Sequence, residues 1–182
     1  EISAFIGVGG NALFSIHLGK KDIKKAEHIL GNPFVMLTLV SVGVSVFLYS
    51  FLDKALILVG ASTDVLPYAK EYMEIAMIGF TIWGIGAGMN HFIRSSGHPN
   101  IALITQIVGN VVNIVIGVLF VYYFHWGMKG VAWASVFGQA FSAGWIMYFF
   151  LSKKCPYKIK IKNFILRQDI IIAMCAIGIS QF

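Results

Sequence analysis

Five stretches of this chain, residues 2–18, 34–52, 75–93, 101–124 and 131–151, contain no Asp, Glu, Lys or Arg. A helix of about 20 apolar residues spans the hydrocarbon layer of a bilayer, and four of these runs come close to or exceed that length. A soluble fold has no means of burying so many in succession. Composition agrees, with 58% of residues hydrophobic and 12% charged, against about 25% charged in soluble domains. The mean hydropathy is +0.78. The fold class is all-α, a polytopic transmembrane helical bundle. A further apolar run begins at residue 170.

The charges between the runs carry topological information. The formal net charge is +6, but the basic residues lie in short connections and form no stripe on a folded surface, so nucleic acid is not expected as a partner. The connections after the first, third and fifth runs hold four, one and six Lys or Arg residues, and those after the second and fourth hold two and one. The positive-inside rule therefore places residues 19–28, 94–100 and 152–169 in the cytoplasm. Tyr122, Tyr123, Trp126, Tyr148 and Tyr157 stand near run ends, where interfacial aromatics collect. Pro33 is expected in the first turn of the second helix, where its missing N–H costs little. Gly7, Gly9 and Gly10 read as close helix packing, since no strand precedes them and no Gly-Lys-Ser/Thr follows. Cys155 and Cys175 have no metal-ligand spacing and read as two unpaired thiols.

Polar residues inside the runs are few and patterned. Gln106, Asn110, Asn113 and Gly117 recur at four, three and four residues, which puts them on one face of a helix. Ser135, Gln139 and Ser142 do the same on the next. Asn90 closes the third run. Single amides and hydroxyls in membrane helices are commonly interhelical glue, at about 0.6 kcal/mol each. Asn90, Gln106, Asn110, Asn113, Ser135 and Gln139 on neighbouring helices are better explained together, as the lining of a cavity for substrate or cation. All eight acidic residues fall in connections or at run ends, so no expected span buries a carboxylate, although a proton- or cation-driven transporter ordinarily needs an ionisable group in the membrane.

The chain resembles the multidrug and toxic compound extrusion (MATE) family of transporters. Asn90-His91-Phe92-Ile93-Arg94-Ser95-Ser96-Gly97-His98-Pro99 is similar to the family's Asn-x-x-(Ile/Leu)-Arg-x-x-Gly-x-Pro at the end of its fourth helix. Gly109-Asn110-Val111-Val112-Asn113-Ile114 matches the fifth helix, and Gly127-Met128-Lys129-Gly130-Val131-Ala132-Trp133-Ala134-Ser135 the opening of the sixth. Leu18-Gly19-Lys20-Lys21-Asp22 with Ala26 resembles the basic loop between helices two and three. The resemblance implies a piece of the N-terminal lobe of a twelve-helix antiporter. Residues 1–151 would hold helices two to six, residues 152–169 the basic cytoplasmic inter-lobe loop, and residues 170–182 the start of the C-lobe's first helix.

What the resemblance implies about function is export of drug-like, often cationic organic compounds in exchange for protons or sodium, by alternating access across the plasma membrane. It implies no enzyme activity, no cofactor beyond the coupling ion, and a monomer when the protein is complete. Helices outside this stretch are expected, and half a transporter cannot complete alternating access, so this stretch alone is expected to be inactive. Asn90, Asn113 and Ser135 match positions lining the family's N-lobe cavity. The Asp that proton-coupled members carry four residues after the Asn of Asn113 is here Gly117, which leaves the coupling acid to be sought elsewhere. A lipid-linked oligosaccharide flippase of the same superfamily, which wants a more cationic cavity than Arg94 alone supplies, and an inactive structural remnant are the alternatives. An intramembrane enzyme fits least, because His91 and His98 flank a turn with no buried carboxylate nearby.

The charge asymmetry makes a direct prediction. With Cys155 and Cys175 replaced by Ala in the complete protein, a cysteine at Ser62 should react with a membrane-impermeant maleimide in intact cells. One at Lys21 should react only after permeabilisation. The reverse pattern overturns the orientation.

Overall fold

The computed structural model describes residues 2–152, 155, 157, 163, 164 and 166–179. Among these residues the regular structure is helical throughout. The elements are α1 (Ile2–Gly19), α2 (Ile23–Ser50), α3 (Leu52–Leu58), α4 (Leu66–Ser95), α5 (Pro99–Val118), α6 (Gly127–Leu151) and α7 (Gln168–Ile179), with a π-helical turn at Leu119–Tyr123 continuing α5. Four are long and apolar enough to cross a membrane: α2, α4, α5 with its π turn, and α6. The helices α1 and α7 are apolar but shorter within the described residues.

The helices start earlier than the apolar runs do. The second begins at Ile23, not near Phe34, because the Asp22 carboxylate accepts the Lys25 N–H at 3.2 Å and nucleates the helix through the basic stretch. Two expectations change with it. Glu27, expected in a basic connection with an amphipathic helical start, lies in α2 and is buried. Pro33, placed in a first turn, lies inside the helix, where it removes a backbone donor and crowds the preceding turn. The neighbouring Asn32 is fully buried and braces this point. Its Nδ2 donates to the His28 carbonyl at 3.0 Å, and its Oδ1 accepts the Arg167 N–H at 2.9 Å, tying α2 to the start of α7. In the same way α4 starts at Leu66, with Pro67 in its first turn, and α6 starts at Gly127, which shortens the expected link to three residues. The turn at Gly97, with φ +83°, and the helix start at Pro99 stand where the dipeptide chemistry placed them.

Helix α4 is central and packs against α1, α2, α5 and α6. Its glycines face different neighbours. A Cβ on Gly84 would strike Ser41 of α2, one on Gly88 would strike Leu37 of α2, and one on Gly79 would strike Gln139 of α6. The apolar core fills the end of the bundle holding the α1–α2 and α4–α5 turns, around Phe14, Leu30, Phe92, Ile93, Phe150 and Met174. At the other end Lys129 pairs with Glu71 at 2.6 Å and Lys70 with Asp53 at 2.8 Å.

Of the basic segment expected at 152–169, Lys153, Lys154, Lys158, Lys160 and Lys162 lie outside the described residues. The parts that are described pack on the bundle. Phe164 stacks on Phe34 at 5.3 Å, and Tyr157 meets Phe14 edge-on at 5.5 Å. Tyr157 is therefore a packing residue and not the interfacial aromatic expected, whereas Tyr122, Tyr123, Trp126 and Tyr148 are exposed at helix ends.

Replacing Asn32 by Leu leaves the Arg167 N–H without its acceptor against a buried side chain. The complete protein in detergent should lose about 1–3 kcal/mol of stability, read as a lower thermal midpoint. An unchanged midpoint would mean that the brace does not form in solution.

Candidate functional site

A cavity of about 440 Å³ lies between α4, α5 and α6. All six residues singled out from the sequence line it: Asn90 from α4, Gln106, Asn110 and Asn113 from α5, and Ser135 and Gln139 from α6. The lining residues fall around the middle of α5 and α6 and in the second half of α4, within the uncharged runs of all three helices. Among the described residues no ionisable side chain lines it.

The six are held differently. Asn113 donates from Nδ2 to Ser135 Oγ at 3.1 Å across the α5–α6 interface, and Ser135 donates to the Val131 carbonyl at 3.2 Å. Asn90 is only 4% exposed. Its Nδ2 donates to the Ala102 carbonyl at 3.4 Å, while its Oδ1 has no partner among the described residues. Gln139 Oε1 is likewise buried without one, lodged against the backbone of Gly79. Gln106 and Asn110 are exposed on the open side of α5. At bilayer depth an exposed amide needs protein or water against it, since lipid tails offer no hydrogen bond. The other side of α5, with Ile104, Ile107, Val111, Ile114 and Val115 all exposed, is suited to lipid.

Close contact of α5 and α6 brings the two stripes together. A Cβ on Gly109 would run into the Ser142 hydroxyl, and one on Gly138 would lie 2.7 Å from the Gly109 carbonyl. Ser142 in turn donates to the Thr105 carbonyl at 3.1 Å. Thr105, Ser142 and Trp83 complete the polar and aromatic lining and were not in the sequence-derived set. A signal existed for each: Ser142 belongs to the α6 stripe, Thr105 is one turn before Gly109, and Trp83, Ala87 and Asn90 share a helical face. Gly117 departs from its stripe. It faces Ala134, 3.6 Å from where its Cβ would be, and does not reach the cavity. His98, weighed as a reactive group, has Nδ1 at 2.9 Å from the Ser96 carbonyl and its ring against Phe149 at 5.3 Å, so it closes the turn and packs.

Bilayer-length helices packed around a neutral polar cavity define a lobe of a polytopic membrane protein. The matching family model, described as MatE, covers residues 2–119, well over half of the chain. The chain belongs to that family, whose members are multidrug efflux transporters of the plasma membrane. It is similar to the multidrug export protein MepA of Staphylococcus haemolyticus (strain JCSC1435), with 22% identity over 157 residues, covering 86% of this chain and 35% of that protein. It is also similar to the probable multidrug resistance protein YpnP of Bacillus subtilis (strain 168), with 26% identity over 162 residues, 87% of this chain and 36% of that one. Among solved structures it matches the inward-facing conformation of a multidrug resistance MATE family transporter of the MOP superfamily with a TM-score of 0.90. The identity is 21%, over 97% of this chain and 40% of that chain. The outward-facing conformation of such a transporter matches with a TM-score of 0.87 over the same shares. The chain spans less than two-fifths of the length of those two relatives and about two-fifths of those structures.

Replacing Ser135 by Ala removes the acceptor for Asn113 but leaves the α5–α6 glycine contact intact. Stability should fall by about 0.6 kcal/mol, the average for an interhelical hydrogen bond in a membrane protein. Replacing Gly79 by Val should cost more, because the Gln139 carbonyl oxygen must move; overpacking of this kind costs about 1–3 kcal/mol. Equal midpoints for the two variants would contradict the packing described.

Proposed function

We propose that the complete protein exports drug-like, often cationic organic compounds, and that this lobe supplies the neutral half of the binding cavity. The observation that carries the reading is the convergence of six amide and hydroxyl side chains, from three helices, on one uncharged cavity within the bundle. Such a lining offers donors and acceptors without the cost of a buried charge, which suits varied organic molecules and their hydration water. Asn90, Asn113 and Ser135 are the first residues to hold substrate or ordered water. Gln106 and Asn110 face the side that must meet protein or water.

Efflux would be driven by exchange for protons or sodium, with the coupling acid supplied from outside this cavity. Gly117 stands where proton-coupled relatives have Asp and points at α6, which favours an acid elsewhere in the complete protein. Alternating access would move the lobe as a body. Support comes from the chain matching both the inward-facing and the outward-facing relatives at nearly equal TM-scores. Glycine-mediated clamping of α4 by its neighbours also favours rocking of a rigid lobe over bending within it. The protein would work as a monomer and carry out no covalent chemistry. The neutral lining is a poor match for the pyrophosphate of a lipid-linked sugar.

Cells expressing the complete protein should clear ethidium faster than cells without it, and a protonophore or a sodium ionophore should abolish the difference. Replacing Asn113 by Leu should slow efflux about tenfold, the effect of losing one hydrogen bond to a polar ligand in a desolvated site, with expression unchanged. Ionophore-resistant efflux would overturn the coupling. Unchanged efflux in Asn113→Leu would overturn the role of the cavity.

A further inference from the structure

A second cavity, of about 390 Å³, lies between α1, α2 and α7 at the end of the bundle that the charge asymmetry assigns to the cytoplasm. Its walls divide by chemistry. Leu13 of α1, Ile29 of α2, and Ile170 and Ala173 of α7 form an apolar side. Lys24, Lys25 and His28 of α2, with His17 of α1 and Arg167 before α7, form a basic rim. Neither lysine is ion-paired among the described residues. Asp169 is the one carboxylate in the lining, and it is engaged by Arg167 at 3.1 and 3.2 Å. The Asp22 carboxylate is turned to its own helix as the cap of α2. His17 and His28 each direct Nδ1 to a backbone carbonyl one turn earlier, at 3.0 and 2.9 Å. Their other ring nitrogen, Nε2, is the remaining polar end of each ring.

We propose that this pocket binds the phosphate headgroup of an anionic phospholipid of the cytoplasmic leaflet, with the acyl chains against the apolar side. Three features converge on that ligand. Basic pockets between membrane helices on the cytoplasmic side face a leaflet of negative surface potential. The pocket lies at the N-terminal ends of α2 and α7, whose dipoles favour an anion. The apolar wall would be wasted on a soluble phosphate, and Ile16 of α1 and Ile172 of α7, both exposed, add apolar surface on two of its helices. A lipid held here would touch α1, α2 and α7 together and so secure α7 to the bundle. The inference does not depend on the transport reading.

Native mass spectrometry of the complete protein in detergent, with phosphatidylglycerol, phosphatidylcholine or inorganic phosphate added, tests it. Phosphatidylglycerol should be retained in preference to phosphatidylcholine. The Lys24→Gln/Lys25→Gln double variant should weaken that retention by about thirtyfold, at roughly a fivefold loss for each basic residue removed from an anionic surface. The Lys20→Gln/Lys21→Gln variant removes the same charge from residues outside the pocket and should bind like the parent. Equal loss in both variants would show general attraction of a basic surface and overturn the site. Competition by millimolar phosphate, or equal retention of phosphatidylcholine, would overturn the anionic lipid as its occupant. Unchanged circular dichroism of the variants excludes misfolding as the cause.

Discussion

In a bilayer, apolar side chains gain little by leaving lipid for one another, so the helices of this chain are held where their backbones approach closely. Gly7 of α1 lies against Gly88 of α4, Gly109 of α5 against Gly138 of α6, and Gly9 of α1 against the backbone of α7. Each contact is possible because neither partner presents a side chain there. The central position of α4 follows directly, since its glycines point to several neighbours in turn. The cavity follows as well: the backbones of α5 and α6 approach closely at the Gly109–Gly138 pair, and the amides and hydroxyls on either side of that point stand at the wall of the space beside it.

The polar residues of the bundle then sort by whether their demand for partners is met. Asn32 has a partner for each side-chain atom, the His28 carbonyl and the Arg167 N–H, and it acts as structure around the proline of α2. Asn113 and Ser135 satisfy each other in part and keep further capacity on the cavity side. Asn90 and Gln139 each keep a buried side-chain carbonyl oxygen that has no partner among the described residues. This graded satisfaction is what separates glue from lining within one set of similar side chains, and residue type alone does not report it.

Much of this was legible in the sequence. Uncharged runs of bilayer length, the distribution of lysines, the turn chemistry of Gly97-His98-Pro99 and the period of the amide stripes follow from one-dimensional rules, because a helix converts spacing into a face. The five amide and hydroxyl residues chosen from the stripes line one cavity, together with Asn90 near the end of the third run. The failures are equally instructive. Reading a membrane helix by its apolar run alone truncates it, because polar first turns such as Asp22–His28 are still helical; Pro33 and Glu27 were misplaced for that reason. Gly117 kept the period of its stripe but faces α6, because the stripe is wider than the cavity. Tyr157 looked interfacial until its contact with Phe14 was known.

The sequence by itself determined that the chain is a membrane bundle, which end of it is basic, and which helical faces are polar. Those properties are set by composition and spacing along single helices. Only the tertiary structure decided which faces meet, that Gln139 is lodged against Gly79 while Gln106 and Asn110 stay open, and that residues as distant in sequence as Leu13, Lys24 and Arg167 share a pocket. Such pairings depend on where backbones can come close in three dimensions. No period along one helix encodes the neighbour it will meet.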